Sequence, residues 1–456
     1  MKIISSLLTA SLSLFGATLQ SSDGLTLDEA IEILKDDNLE IKAAQYELQS
    51  SQAKTAQAGA MNWGSLDLIL NAARSDDAGS VFGFKLTSRH ASFGDFGFAD
   101  GSSIPPMTDP SFVSYEPNSL NNPGNTNFFQ TKLEYTLPLY TGGQISGYTD
   151  IGRSMEKMQG LEKDKTVNDK IYETRKAFYD MALLEQAIKN LTTINDNIIK
   201  LEKTTQHMIN EGYAKRIDLL EVQAKHSNVE RNLHEMKANE ELLYHYLSFL
   251  LNREIKHISV PTSEVKASAF STEQILSRNV DIKQAQTGLE IRRRMVDVSQ
   301  ADYLPTIGLK ADVQSSALDL SDYKIDNGSY SAGVQLKWNL FSGGADSNKV
   351  EEARVNALKT ETEVQLAKKG IALKVDKIRT EIESLDYEIV SLSKELELST
   401  EIYKNYEERY RENLASMNDL IIKQSMQIEK VLALLEVQNK RNERVFALEK
   451  LANGEQ

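Results

Sequence analysis

The chain is written twice. Leu139-Tyr140-Thr141-Gly142-Gly143 returns as Leu340-Phe341-Ser342-Gly343-Gly344, at an offset of 201 residues. The same offset carries Gly212-Tyr213-Ala214 and Asp218-Leu219 onto Asn413-Leu414-Ala415 and Asp419-Leu420, and Leu250 with Asn252 onto Leu451 with Asn453. Upstream, Asn38, Ile41, Lys42, Ala44, Gln45 and Leu48 return as Asn279, Ile282, Lys283, Ala285, Gln286 and Leu289 at an offset of 241. The difference of 40 is extra chain in the first half, between about residue 70 and residue 128. Glycine turns align together with apolar positions, so one structural unit is duplicated in tandem, which is more than coiled-coil self-similarity gives. The division that follows is a leader over 1–22, a first repeat over 23–252 with an insertion at 74–127, a linker over 253–271 and a second repeat over 272–456.

The prolines fall at the boundaries of this plan. Pro105, Pro106, Pro110, Pro117 and Pro123 lie in the insertion, Pro138 and Pro305 at strand ends and Pro261 in the linker. Nothing therefore forbids very long helices from Tyr140 to Val260 or beyond Thr306. Ile371, Val375, Ile378, Ile382, Leu385, Ile389, Leu392 and Leu396 advance by alternating steps of 4 and 3, a 3.5-residue period that implies a left-handed supercoil. Ala177, Met181, Leu184, Ile188 and Leu191 repeat part of it in the first half. A helix from Gly143 to the Gly212 turn has about 70 residues and spans on the order of 100 Å, more than the thickness of a bilayer.

Between the helices, four segments switch to alternation. Phe129, Thr131, Leu133, Tyr135, Leu137 and Leu139 oppose Gln130, Lys132, Glu134 and Thr136. In the second repeat Tyr330, Ala332, Val334, Leu336, Trp338 and Leu340 oppose Ser331, Gly333, Gln335, Lys337 and Asn339. Ile307, Leu309, Ala311 and Val313 form a third strand, and Leu66, Leu68 and Leu70 begin a fourth. At about ten residues per strand, this is the pattern of a barrel wall between lipid and a wet lumen, although a soluble sheet with one buried face reads the same way strand by strand. A barrel needs at least about eight strands, so four per chain call for further copies and predict a homo-oligomer.

Met1-Lys2 followed by the apolar stretch Ile3 to Ala17 has the layout of a secretory signal peptide, with cleavage between Ala17 and Asp23. The absence of cysteine excludes disulfides and thiol chemistry, and no N-terminal lipid anchor is expected. No later apolar run approaches the ~20 residues of a spanning helix, so an exported chain is expected to be soluble or to span as β-structure. Lys+Arg 52 against Asp+Glu 66 leaves a net charge of −14, which argues against nucleic acid as a partner.

Together these residues carry a resemblance. Leu25-Thr26-Leu27-Asp28-Glu29-Ala30-Ile31 with Asn38, the two Gly-Gly turns, Tyr303-Leu304-Pro305, and the stretch from Arg409-Tyr410 to Asp419 resemble the TolC-type outer-membrane efflux and secretion channels over nearly all of the chain after the leader. The resemblance implies a mostly helical α+β chain giving four strands to a twelve-stranded trimeric barrel in the outer membrane, continued by a twelve-helix coiled-coil tunnel into the periplasm. It implies as partners outer-membrane lipid, a periplasmic adaptor of the membrane-fusion type and an inner-membrane RND or ABC transporter, in an efflux pump or a type I secretion system. Opening would follow untwisting of the helical tips. A non-pore periplasmic coiled-coil adaptor or tether is the alternative; it explains the heptads but not the strands.

The tips carry the candidate site. Asp218 and Asp419 follow the turns at Gly212 and Asn413, and in a three-fold assembly each inward acid becomes a ring of like charges that attracts cations. Asp218 reads equally as a first-turn acid suited to the helix dipole. The resemblance places an acid aligned with Asp419 at the periplasmic constriction and a tyrosine aligned with Tyr410 among the contacts that close it. A second family acid is Ile422 here, leaving Asp218 or Glu221 to supply another ring, and a latch arginine is Ala415, for which Lys215 or Arg216 could substitute. Gly212, Tyr213, Ala214 and Lys215, with Asn413, Leu414, Ala415 and Ser416, would meet the adaptor end-on or serve as turn packing. Gly212 is expected at positive φ.

Enzymatic readings find little. There is no GxxxxGK[ST], GxSxG or HExxH, and His207, His226, His234, His245 and His257 include no pair three or four residues apart. No cofactor or metal is expected. The insertion, with Phe82, Phe84, Phe93, Phe96 and Phe98 among Gly, Ser, Asp and Pro, would lie on the extracellular side, to plug, cap or extend the barrel, or to anchor at the interface.

Overall fold

A computed structural model describes residues 24–452 apart from 262, 268, 323–327 and 413. The leader at 1–22 and the tip residue Asn413 lie outside the described residues. In chain order the elements are α1 (Leu27–Asp37), α2 (Leu39–Ala60), β1 (Ser65–Ser75), α3 (Ala78–Thr87), α4 (Asn118–Asn121), β2 (Thr126–Tyr140), α5 (Gln144–Asn210), α6 (Arg216–Leu250), α7 (Thr272–Arg278), α8 (Val280–Gln300), β3 (Thr306–Ala317), β4 (Ser329–Lys337), α9 (Ala345–Arg411) and α10 (Met417–Leu451).

The duplication is visible element by element. α5 and α9 both have 67 residues, and α6 and α10 both have 35. Gly142 and Gly143 (φ +63° and +86°) match Gly343 and Gly344 (φ +64° and +87°), so each strand passes into its long helix through two left-handed residues open to glycine. The matched asparagines explain why their positions repeat. Asn38 Nδ2 donates to the Leu250 carbonyl (2.8 Å), near the end of α6, while its Oδ1 accepts from the backbone of Glu40 and Ile41 at the start of α2. Asn279 does the same between the Leu451 carbonyl (3.0 Å) and the Ile282 amide. Both are 3% exposed, and each satisfies orphan groups of two helix ends with one side chain.

The chain divides into two compact units, and neither is a repeat. One gathers the chain up to Tyr46 with Leu161–Lys283 and Leu366–Gln456; the other gathers Glu47–Gly160 and Gln284–Gln365. In the first, the predicted 3.5-residue seam of α9 turns inward, with Val375, Ile378 and Ile382 buried beside Phe446 and Leu448 of α10. Ala177, Phe178 and Met181 of α5 pack with Leu247 and Leu250 of α6 and Leu34 of α1. A second apolar stripe has no cover: Leu366, Leu373 and Tyr387 of α9, at heptad spacing, are 69%, 71% and 73% exposed. Leu242, Tyr246 and Phe249 of α6 form another, at spacings of four and three.

The second unit holds one antiparallel sheet in the order β1-β2-β3-β4. Its register puts Leu68 opposite Leu133, Leu133 opposite Val313, and Val313 opposite Tyr330, so the alternating apolar positions share a face across all four strands. The expected strand to Leu340 ends instead at Lys337. Among the described residues β4 is hydrogen-bonded only to β3, and an edge strand without an outer neighbour frays at its end. The insertion is folded. Asp77 caps α3 through the Ser80 amide (2.8 Å), Lys85 pairs with Asp95, and Asp100 accepts from Tyr115 Oη (2.7 Å) and the Asn118 and Ser119 amides. The Tyr115 hydroxyl, with those amides, holds Asp100 down at about 2.

Two outcomes test this packing. Asn38→Ala strands a carbonyl and two helix-start amides and is expected to cost about 1–3 kcal/mol, lowering the melting temperature in detergent; a variant that melts with the parent removes the double cap. Asp180, half-buried between Lys176 and Glu443 and bonded by Asn439 Nδ2 (2.9 Å), is pushed up by burial to about 6. An acid raised this way binds more protons folded than unfolded between about pH 4 and 6, so its ionisation lowers stability as pH rises through that window. Asp180→Asn should therefore melt above the parent at about pH 8, the gap closing by about pH 4. Equal gains at both pH values would contradict the buried charge.

Candidate functional site: hairpin tips and an inverted sheet

The first tip is a helix stop followed at once by a helix start. Gly212, at φ +81°, lets the Tyr213 amide reach the Met208 carbonyl (2.7 Å) and its own amide the Ile209 carbonyl (3.0 Å), the double bond of a Schellman turn. The expected positive φ is present. At the second tip the matching bond runs from the Leu414 amide to the Arg409 carbonyl (2.7 Å). Tyr213 and Leu414 project into solvent, Lys215 and Ser416 are also exposed, and Ala214 and Ala415 are half-covered.

Both acids cap the helices they begin. Asp218 accepts from the Lys215 amide (2.7 Å). Asp419 accepts from Ser416 Oγ (2.6 Å) and the Ser416 amide (3.3 Å), while its own amide donates to Ser416 Oγ (3.1 Å). The Ser416 hydroxyl first, then the Ser416 amide, and more weakly Lys423 and Arg409, hold the Asp419 carboxyl below its ordinary value, so it stays ionised. Asp419 is exposed and Asp218 half-exposed. Capping and charge are compatible here, because the cap fixes where an ionised, solvent-facing group sits. Glu221 is half-buried, next to the fully buried Val222.

Tyr410 lies inside. It is 4% exposed, in a core with Leu201, Val222, Met417 and Leu420 from all four tip helices. Its hydroxyl is 3.3 Å from Thr205 Oγ1, and Thr205 already donates its one proton to the Leu201 carbonyl (2.9 Å), so Tyr410 donates. Burial raises the Tyr410 hydroxyl above its ordinary range and keeps it a donor. That bond joins α9 to α5. Further polar ties join the tip helices, among them Lys225 Nζ to Ser425 Oγ (2.7 Å), Gln223 Nε2 to Glu202 Oε1 (2.9 Å) and Gln427 Nε2 to Thr400 Oγ1 (3.1 Å). Sequence reading did not single out Thr205, Lys225 or Ser425, since isolated polar residues on a heptad look like solvated face; Ser416, read only as a tip residue, was legible as a cap from its S-x-x-D spacing.

The sheet has its chemistry inverted relative to a soluble one. Leu66, Leu68, Leu70 and Val334 of its apolar face are 64%, 64%, 70% and 65% exposed. The opposite face holds a connected polar network. Lys132 pairs with Glu134 (2.6 Å), Lys310 with Glu134 (2.7 Å), and Ser331 Oγ donates to Asp312 (2.6 Å). Asn71, Gln130, Gln314 and Ser329 form a side-chain ladder across all four strands. Trp63, Tyr140, Tyr303, Trp338 and Phe341, all exposed, cluster in sequence where strands meet helices. Among the described residues no helix is long and apolar enough to cross a membrane, and no three His, Cys, Asp or Glu side chains gather to hold a metal.

Residues 272–454 match the family described as Outer membrane efflux protein. The whole fold is similar to CusC, the subject of crystal structures on transmembrane channel formation, at TM-score 0.76 and 14% identity over 94% of this chain and 92% of that one. It is similar to VceC of Vibrio cholerae at 0.72 and 16% identity over 94% and 96%. The open-state outer-membrane channel MtrE of Neisseria gonorrhoeae gives 0.73 and 15% over 94% and 89%. At these identities the likeness establishes the fold. No curated protein matches the chain significantly.

The Tyr410–Thr205 bond is testable alone. Tyr410→Phe is expected to loosen the tip by about 0.5–1.5 kcal/mol, raising amide exchange around Met208–Ala214 several-fold while the α6–α10 core keeps its protection. Unchanged tip exchange would show that the bond carries no weight.

Proposed function

From a second repeat that matches the outer membrane efflux protein family model, in a chain whose fold is similar to those of outer-membrane channels, we propose that the chain is a member of that family and that three copies close one barrel and one tunnel. The protein is an outer-membrane efflux channel with a periplasmic extension. The single observation that carries the finer reading is the inverted sheet. Leucines and valine two-thirds exposed on one face, over a polar network on the other, are costly in water and favourable with lipid outside and water inside.

The copy number follows from edges and stripes. β1 and β4 have no outer neighbour among the described strands, and in hydrocarbon every unpaired backbone group costs several kcal/mol, so each β4 pairs with the β1 of the next copy. Three copies of four strands give twelve, an even number within the range of such barrels. The uncovered stripes on α9 and α6 supply intersubunit seams for the tunnel. Transport is passive in the channel itself, its energy coming from an inner-membrane RND or ABC transporter through a periplasmic adaptor. The exposed tips, Gly212 to Lys215 and Leu414 to Ser416, are the adaptor's surface. Opening swings the tips outward, breaking ties such as Tyr410–Thr205, and the Asp419 ring, with Asp218 or Glu221 behind it, sets cation preference at the constriction.

Two variants separate charge from cap. Asp419→Asn keeps an oxygen for Ser416 and removes the charge; Asp419→Ala removes both. Both are expected to lower cation preference, read as the reversal potential of single channels in planar bilayers, and Asp419→Ala alone to destabilise the tip, because it removes the acceptor of the Ser416 amide and hydroxyl. Selectivity and conductance unchanged in both would take Asp419 out of the gate.

A further inference from the structure

The polar face of the sheet is not empty. The α3 helix of the insertion lies on it: Phe84 stacks on Phe128 with ring centroids 4.5 Å apart and planes 10° from parallel, and Ser316 Oγ donates to the Thr87 carbonyl (2.9 Å). Phe128 and Ser316 belong to the polar face by register, two residues along from Gln130 and Gln314 of the side-chain ladder. Phe128 and Ser316 are buried by this contact, as is Val81 of α3. The bare leucines are on the other side. An insertion that sought hydrophobic cover would have settled on the apolar face.

The insertion is also internally fastened. Asp100 gathers Tyr115, Asn118 and Ser119, Phe82 meets Phe96 edge-on at 5.0 Å, and Gly97, at φ +97°, passes so close to Pro117 that a Cβ would lie 2.5 Å from its Cβ. These bonds brace it as one lobe, which meets the wall at Phe128 and Ser316.

We propose that residues 76–125 form a rigid lobe docked on the lumen face of the barrel, which narrows the outer mouth and sets an upper size on what leaves the channel. The inference rests on the barrel reading above, because only closure makes the polar face a lumen. Eight strands leave room just for side chains, and sixteen to eighteen leave an open aqueous channel. Twelve lie between, and three lobes of some fifty residues, each on the inner wall, restrict that bore. The cargo class favoured is small solutes; bulky or folded cargo requires the lobe to undock.

The chain has no cysteine, so single cysteines give a clean test. Thr136→Cys puts a thiol on the polar face, away from the lobe's contacts and exposed, and Val334→Cys puts one on the apolar face. Intact cells are treated from outside with hydrophilic thiol reagents of graded size, a small methanethiosulfonate and a long-chain polyethylene-glycol maleimide. With the lobe present, the small reagent is expected to label Thr136→Cys and the large one not. Replacing 77–124 by a short turn should admit the large reagent. Phe84→Ala in the full-length chain, which avoids the risk that the deletion fails to assemble, should speed the large reagent about tenfold, as loss of one stacked pair frees the lobe. Equal labelling by the large reagent with and without the lobe overturns the size limit while leaving the barrel intact. Labelling of Val334→Cys as fast as Thr136→Cys overturns the barrel itself.

Discussion

Among the described residues both edges of the four-stranded sheet lack an outer neighbour, and the other features of the molecule answer to that. A single chain exposes an apolar face that water disfavours and two strand edges that lipid disfavours more. No rearrangement within four strands relieves both, because eight is about the smallest number that closes. Assembly does relieve both. In the proposed barrel each edge pairs with a neighbour's, the leucines meet hydrocarbon and the Lys132–Glu134–Lys310 network faces water.

The duplication makes that assembly tractable. Two repeats whose long hairpin helices have equal lengths, each carrying the same asparagine double cap and the same pair of left-handed glycines, let both hairpins of a chain end in one shared core around Tyr410, Val222 and Leu420. Inside that core the Tyr410–Thr205 bond is a buried polar tie. A bundle joined by crossing bonds at its tip, with separate apolar clusters behind, can loosen locally without melting the rest. That asymmetry suits a gate more than a strut.

Much of this was legible in the sequence, for physical reasons. Alternation in Phe129 to Leu139 and the 3.5 period from Ile371 to Leu396 are long, strongly periodic signals, and both elements formed where the periods said. β1 was harder to read, since only Leu66, Leu68 and Leu70 alternate cleanly before Asn71 and the alanines, although the strand runs on to Ser75. The α3 helix left no signal at all. Gly79 and Gly83 lower its propensity, and it forms because Asp77 caps it and Phe84 finds Phe128, a tertiary partner more than forty residues away. The capping of Asp419 was written in Ser416 three residues before it, while Thr205, the partner of Tyr410, lies across the duplication where no local pattern points.

If closure of the proposed barrel takes three chains, the mass of the detergent-solubilised protein, with the bound detergent subtracted, reports it. A particle of three chains that needs detergent to leave the membrane is expected. A monomer or dimer released without detergent would contradict it.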